Sequence, residues 1–427
     1  MVKKIIVVLT LFITIASFAQ NSSASAYSFF GIGDVNKSNT VEELSMGGIG
    51  VSMNDSFHLN FSNPASSSGL LYTTYSLALE NKNIEAKDAN GKEKAATTYL
   101  SYLALGIPLG EKGGFSFGLL PNSSVGYNLN TTTLNASDEI QKVTYFNGEG
   151  GTNKVFLGVG YEVYKGLSIG VQGAYLFGEI DNSIIHQEKD VSLATKYQAI
   201  ANVNGFSINT GFQYKKELKN KLNLNLGGSF VLENEITSKG NEYLYSLDLA
   251  TARIPSDTLL SSESDGKLLN PLKSTLGVGI GKENKWFAGV DYSFQKALEL
   301  NGAIFNSYSK IKYEDANKIS IGGFYIPKYN SITSYWERVT YRAGLKMEKT
   351  GLMIDGIGKG NEFTAIDDFG ISFGLGLPVG NQLSNLNIGF ELGKRGKVTN
   401  NLVQENYVNV RLSLSLNDKW FRKLEIF

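Results

Sequence analysis

The stretch 407–416 alternates without interruption: Val408, Val410, Leu412, Leu414 and Leu416 share one face, and Tyr407, Asn409, Arg411, Ser413 and Ser415 share the other. Only a β-strand gives side chains a period of two, and only a strand whose two faces meet different media keeps such a pattern. The same grammar recurs upstream. At 222–232 Leu222, Leu224, Leu226, Phe230 and Leu232 oppose Asn223, Asn225 and Ser229. At 338–347 Val339, Tyr341, Ala343, Leu345 and Met347 oppose Arg338, Thr340, Arg342 and Lys346. About fourteen such segments follow one another: 71–82, 96–108, 114–129, 154–164, 167–182, 201–215, 221–238, 271–282, 286–298, 316–327, 335–348, 362–378, 385–396 and 405–416. An even count suits a closed antiparallel barrel with lipid outside and a polar interior.

The connections carry a second constraint. Every other one is short: Gly110–Gly113, Lys165-Gly166, Lys216–Asn220, Glu283–Lys285, and turns near 328–334 and 379–384. Most of the intervening ones are longer, with 130–153 and 239–270 the extremes. Short turns at one end and long loops at the other are the asymmetry of outer-membrane barrels, whose short turns are periplasmic. A secreted soluble sandwich or propeller, the main alternative on composition, has no reason to alternate in this way.

Composition agrees. Charged residues make up 19%, below the roughly 25% of soluble domains, while the chain holds 47 Gly and 11% aromatics. Lys3 and Lys4, the apolar run Ile5–Ile15 and the small-residue site Ser17-Phe18-Ala19 before Gln20 read as a secretory signal peptide over 1–19. No later apolar run is long enough for a membrane helix. Without Lys3 and Lys4, 38 basic residues stand against 40 acidic ones, which gives no reason to expect a nucleic-acid partner. The sequence has no cysteine, so no disulfide, thiolate metal site or lipid-anchored N-terminus is expected.

Ahead of the first strand lies SMGGIGVSMNDSFHLNFSNPASSSGL, 45–70, with no periodicity of either kind. Gly47, Gly48 and Gly50 open backbone shapes closed to other residues, and Asn63-Pro64 initiates a turn. An irregular stretch of this length is functional or disordered. Because the first strand leads into one of the longer connections, it runs outward from the periplasm, and 20–70 enters from that side. Fourteen strands enclose more space than side chains fill. The expected layout is therefore a plug over 20–70, an all-β transmembrane barrel over 71–416 and a short periplasmic tail over 417–427.

Gly47-Gly48-Ile49-Gly50 followed by Asn63-Pro64-Ala65, just before the first barrel strand, resembles the N-terminal hatch of the FadL-type outer-membrane transporters of long-chain fatty acids and other hydrophobic compounds. The whole mature chain matches that family in layout, though only these few residues match as motif. Gly118–Tyr127 and Asp418-Lys419-Trp420-Phe421 look like a Bacteroidota branch of such barrels. The resemblance implies a fourteen-stranded barrel with a lumenal hatch. It also implies a third strand kinked inward, opening a window through which ligand leaves sideways into lipid. Pro121, Asn122, Ser123 and Ser124 fall at the matching place, and Pro121 cannot donate to a ladder. An ordinary bulge beneath an extracellular loop is the other reading of the same residues.

The inferred lumen faces carry Arg338, Arg342, Arg411, Asp291, Glu233 and Glu391. The arginines suit a ligand carboxylate or ion pairs tying plug to wall. Leu244, Leu247, Leu249, Leu259, Leu260, Leu268 and Leu269 crowd one long connection, either as an outer vestibule or packed on one another. Catalysis has little to work with. His58 and His186 are the two histidines, neither lies near a nucleophile motif, and no metal-ligand spacing or phosphate loop appears. No enzyme activity and no cofactor are expected. The expected function is passive uptake of fatty-acid-like molecules, with membrane lipid and a hydrophobic ligand as partners. The alternative is a non-transporting barrel, a subunit or shuttle of a protein-secretion or barrel-assembly complex, that binds other envelope proteins through its loops.

Overall fold

The computed structural model describes residues 25–89, 91–248, 255–301, 311–357, 360, 362–379 and 384–418. The signal region 1–19, Leu249 and Lys419-Trp420-Phe421 lie outside them.

Fourteen strands form one closed antiparallel sheet. They are β1 Thr73–Lys87, β2 Lys92–Leu109, β3 Gly113–Leu134, β4 Ile140–Tyr164, β5 Leu167–Glu188 and β6 Ala194–Glu217. Next come β7 in two pieces, Asn223–Val231 and Asn234–Leu247, and β8, Pro255–Asn270 and Lys273–Lys282. β9 is Trp286–Gln295 and Glu299–Asn301, and β10 is Ile311–Tyr313 and Ala316–Tyr325. β11 Thr340–Ile354, β12 Thr364–Val379, β13 Ser384–Gly396 and β14 Gln404–Asp418 complete the set. The ring closes where β14 pairs with β1, from Gln404 opposite Lys87 to Asp418 opposite Thr73.

The alternation in the sequence is the inside–outside alternation of the wall. On β14 Tyr407, Asn409, Arg411, Ser413 and Ser415 are buried, while Val408, Leu412 and Leu416 are exposed. Leu103, Leu157, Val171, Leu276, Ile321, Phe373 and Leu392 are exposed on other strands. An apolar row on the outside of a closed ring is the surface of a barrel that crosses a membrane, and this is an outer-membrane β-barrel. No helix among the described residues is long and apolar enough to cross a membrane.

Two expectations change. The stretches 130–153 and 239–270 are not irregular loops. β3 and β4 stay paired out to Leu134 opposite Ile140, and β7 and β8 to Leu247 opposite Pro255. The alternation fades there, because beyond the membrane the outer face of a hairpin meets water and need not be apolar. Val339 is also not lipid-facing: it is buried after a helical turn, Trp336–Arg338, and β11 begins one residue later.

Residues 25–70 run through the interior as short pieces: a turn Ala26–Phe29, two extended residues Asp34–Val35, one helical turn Val41–Leu44 and a longer turn Pro64–Gly69. Ala26 lies by Glu405 at the long-hairpin end, while Ser67 lies against Gly114 beside the short turns. The segment therefore descends the lumen before the chain turns into β1. It is seated by glycines on the inner wall. A Cβ at Gly114 would overlap Ser67, at Gly160 Pro64, at Gly170 Ala65, at Gly227 Val51, at Gly322 Met46, and at Gly344 Met46 and Gly47. Neighbouring strands thus offer bare backbone at one level, and the segment's own backbone lies against it.

This seat gives a test. Gly344→Ala forces Met46–Gly47 off the wall at a cost of about 1–3 kcal/mol. The barrel should keep its heat-modifiable gel mobility while residues 25–70 become sensitive to protease. Unchanged protease resistance would refute the seating argument.

Candidate functional site

Among the described residues the β2–β3 ladder stops well short of the strand ends. β2 and β3 pair only from Leu109 opposite Gly113 to Leu103 opposite Leu119. Above that level β2 stays paired with β1 as far as Lys92, and β3 with β4 as far as Leu134. The two upper edges that face each other share no ladder. Pro121 sits where the pairing ends and has no N–H to give. Between Pro121 and Ser123 the register with β4 shifts, while Asn122 Nδ2 donates to Thr152 Oγ1 at 3.0 Å and Ser123 Oγ lies 2.8 Å from the same oxygen.

The chain covers part of this opening itself. Asp34 pairs antiparallel with Ser124 and Val35 with Ser123. Asn36 continues the line: its N–H donates to Asn122 O at 2.9 Å and its Nδ2 to Ser124 Oγ at 2.9 Å. Val35 is 60% exposed, an apolar side chain in the seam. The Asp34 carboxylate receives Lys82 Nζ and Arg395 Nη1, both at 2.6 Å. Burial alone would raise that carboxyl; the Lys82 and Arg395 charges overturn the effect and hold it well below the usual carboxylate range.

Behind the seam is a lumenal cavity of about 490 Å³, within the size range of small-molecule sites. Phe30, Ile32, Leu120, Phe156, Leu298 and Leu300 supply apolar lining. One side is an ion-pair network. Glu391 accepts from Lys346 and, at 2.6 Å, from Arg411, which also pairs with Glu80 at 2.9 Å. Asp368 takes Lys346 at 3.0 Å and Tyr407 OH at 2.7 Å. Lys37 of the N-terminal segment stands 3.7 to 3.9 Å from Asp368, Glu391 and Glu348.

The residues singled out from the sequence divide clearly. Arg411, Glu391, Arg342 and Asp291 are buried on the inner wall. Arg342 donates to Asn387 Oδ1 at 3.0 Å, and Asn387 donates to Glu42 at 2.7 Å. Asp291 accepts the Gly50 and Val51 N–H groups at 2.8 and 3.0 Å. Arg338 is elsewhere, in the turn before β11 with its guanidinium over the Tyr335 ring. Glu233 is exposed in the break between the two pieces of β7, where the chain leaves strict alternation. Asn63, fully buried, caps the Pro64–Gly69 turn through Ala65 N at 3.0 Å. Its Nδ2 donates to Val51 O and Phe212 O, both at 2.8 Å. Gly47 has φ +74, a left-handed conformation that favours glycine, and its N–H donates to Ser372 Oγ at 2.8 Å.

The vestibule leucines also separate. Leu268 and Leu247 are buried, Leu244 and Leu269 half-buried, and Leu259 and Leu260 exposed. His58 is hydrogen-bonded to Asp55 at 3.0 Å and Asn385 at 3.3 Å, and His186 to Thr144 at 2.7 Å. The described residues contain no group of His, Cys, Asp or Glu able to hold a metal ion.

Sequence reasoning missed Asp34, Lys37, Glu80, Lys82 and Arg395. Glu80 and Lys82 share strand parity with the buried Ser76 and Ala78, so parity alone would have found them. Asp34 and Lys37 lie in irregular chain and left no such signal.

Fold and lumen together define a fourteen-stranded outer-membrane barrel with a segment of its own chain in the lumen. Solved structures similar to it include a Pseudomonas aeruginosa FadL homologue (TM-score 0.60, 11% identity, covering 90% of this chain and 98% of that one). The Pseudomonas putida toluene transporter TodX gives a TM-score of 0.59 at 15% identity, over 90% of this chain and 98% of that one. The CymD monoaromatic hydrocarbon channel gives 0.55 at 14%, over 93% and 100%. At such identities the likeness is one of fold. No curated protein matches the sequence. The family model described as BamG matches residues 1–426, and the chain belongs to the BamG family.

One group in the interior reports on pH. Burial pushes the Glu43 carboxyl up to about 7, although the Thr40 and Ser62 N–H groups, at 2.7 and 3.3 Å, favour its charged form. The folded protein therefore binds this proton more tightly than the unfolded chain. Its contribution to stability is full below the ordinary value of 4.5 and is lost as pH rises through about 7. Melting of the detergent-solubilised barrel should fall further between pH 5 and pH 8 for the wild type than for Glu43→Gln. Equal falls would contradict the assignment.

Proposed function

We propose that the protein takes up hydrophobic small molecules passively across the outer membrane, fatty-acid-like compounds among them, and releases them sideways through the seam between β2 and β3. Residues 20–70 act as the plug, and Asp34–Val35 with Pro121, Asn122, Ser123 and Ser124 form the exit. The observation that carries this reading is the loss of β2–β3 pairing above Leu103 and Leu119, covered over part of its height by two residues of the N-terminal segment. Two of the fold relatives, a toluene transporter and a monoaromatic hydrocarbon channel, support the substrate class. The stretches at Gly118–Tyr127 and Asp418–Phe421 support placement in a Bacteroidota branch. Nothing in the proposed role requires catalysis or an energy source.

A second reading has its own observation. The segment inside the barrel is tied to β6, β7, β9, β12, β13 and β14 by buried hydrogen bonds, a lumen built to stay shut. On that reading the barrel is a non-transporting subunit of a larger envelope complex, and its outer hairpins bind partner proteins.

Because the sequence has no cysteine, a Val35→Cys/Ser123→Cys pair isolates the question. Oxidation should lock the two-residue strand across the seam and abolish uptake of a radiolabelled long-chain fatty acid by cells, and reductant should restore it. Uptake unaffected by the cross-link would defeat the lateral route. Constant envelope proteins recovered with the gently solubilised wild-type barrel, together with a ligand-free lumen, would favour the subunit reading.

A further inference from the structure

Above the seam, one edge of the wall stands open in water. Among the described residues, β3 from Tyr127 to Leu134 has a ladder with β4 and none on its other side. Tyr127 lies about 35 Å above Gly113 of the short turn, at about 3.3 Å per residue and a tilt of about 40°, and so clears an apolar band about 25 Å tall. Residues 128–134 are all exposed. Contacts lower on the strand show which groups face the open side. Asn122 O accepts the Asn36 N–H, and the Gly126 N–H donates to Ser28 Oγ at 3.3 Å. In a strand every second residue turns its N–H and C=O to the same side, so those of Asn128, Asn130 and Thr132 face outward as well.

An open edge is a template for another strand, and proteins guard such edges with charges or proline. The opposing edge of β2 carries Lys92, Glu93 and Lys94. β3 has no charged residue and no proline anywhere in Asn122–Leu134. The same edge already accepts a strand just below, where Asp34 and Val35 pair with Ser124 and Ser123.

A second feature ends at this edge. Leu129, Phe146, Ile184, Tyr197, Leu244 and Leu260 stand directly opposite one another on successive strands from β3 to β8. They share strand parity with the buried Tyr127, Ala199 and Ile236, so the row lies on the inward face. Two residues further out the matching row is polar: Thr131, Thr144, His186, Thr195 and Ser246. Phe29 of the N-terminal segment packs edge-on against Phe146. Leu129, the last member of the row, is 37% exposed, and among the described residues no strand continues the row past it.

We propose that the outer edge of β3, Tyr127–Leu134, is a docking site for an extended segment of another protein, which adds to it as a strand. Main-chain bonds to Asn128, Asn130 and Thr132 hold the segment, and an apolar side chain on it extends the row beside Leu129. In such strand addition the main chain gives affinity and alternate side chains give specificity. A second copy of this chain does not fit. Two copies in one membrane both run β3 outward, and a two-fold axis along the membrane normal turns their sheet faces opposite ways, so neither continues the other's sheet. The proposal rests on the subunit reading for a protein partner in cells, and deepens it by naming the edge and the chemistry of the segment.

The test is fluorescence anisotropy of a labelled peptide, Thr-Val-Thr-Leu-Thr-Val-Thr, with the full-length barrel in detergent. Saturable binding is expected, weakened at least tenfold by N-methylation of the peptide amides. Asn130→Pro should weaken it as much, because it removes an outward N–H at a position where a strand edge tolerates proline. Asn130→Ala keeps that N–H and should bind like the wild type, and Leu129→Thr should lower the preference for this peptide over an all-Thr one. The proposal is overturned if the peptide does not saturate, if its N-methylated form binds as tightly, or if Asn130→Pro with intact heat-modifiable mobility binds like the wild type. The N-methylated peptide decides the matter on the wild type even where the proline variant does not fold. A wild-type dimer lost in Asn130→Pro would also overturn it, in favour of a second copy. Envelope proteins recovered equally with the wild type and with folded Asn130→Pro would overturn the edge and leave the subunit reading standing. A barrel recovered alone from cells that still binds the peptide would uphold the edge and sink the subunit reading.

Discussion

In hydrocarbon a strand edge has no water to satisfy it, so a sheet that crosses a membrane must close on itself. The ladder between β14 and β1 meets that demand over fifteen consecutive residue pairs. Among the described residues the β2–β3 ladder stops early, and that place becomes the most informative part of the molecule. There the edge of β3 is met by a piece of the chain's own N-terminal segment. The backbone's requirement for partners thus accounts for both the closure of the barrel and the position of Asp34–Val35.

The N-terminal segment is held by two kinds of force. Backbone packs on backbone along the inner glycines, where any side chain would push the segment away. Charged groups then fix its direction: Asp34 between Lys82 and Arg395, Lys37 beside Asp368, Glu348 and Glu391, and Asp291 on the Gly50 and Val51 N–H groups. Removing one partner of such a buried set is costly, about 3–5 kcal/mol, because the other charge stays behind unpaired. The same groups form one side of the cavity, so the residues that fix the segment also set the electrostatics that any occupant meets. Lys154 joins the two, lining the cavity while donating to Ser38 of the segment.

Much of the wall was legible before any coordinates. All fourteen segments read from alternation coincide with strands, and the short connections fall where the turns are. The errors share one cause. Glu233 and Arg338 sit where the strand breaks or has not begun, so counting by twos across them assigns the wrong face. The hairpins at 130–153 and 239–270 lost their pattern because their outer faces meet water where the wall below meets lipid. The inner glycines looked like ordinary strand and turn glycines, since nothing in a one-dimensional pattern says that a second backbone lies opposite. Asp34 and Lys37 were invisible for a related reason: irregular chain has no periodicity, and their partners are far away in sequence.

By itself, then, the sequence determined the strands, their inner and outer faces, the closed membrane barrel and an irregular segment rich in Gly and Asn ahead of it. These follow from local rules, because period-two patterning responds only to the medium on each side of a strand. The tertiary structure alone decided which wall glycines take the segment's backbone, where the β2–β3 ladder ends, and which charges pair. Those outcomes depend on distances between residues hundreds of positions apart, such as Asp34 and Arg395.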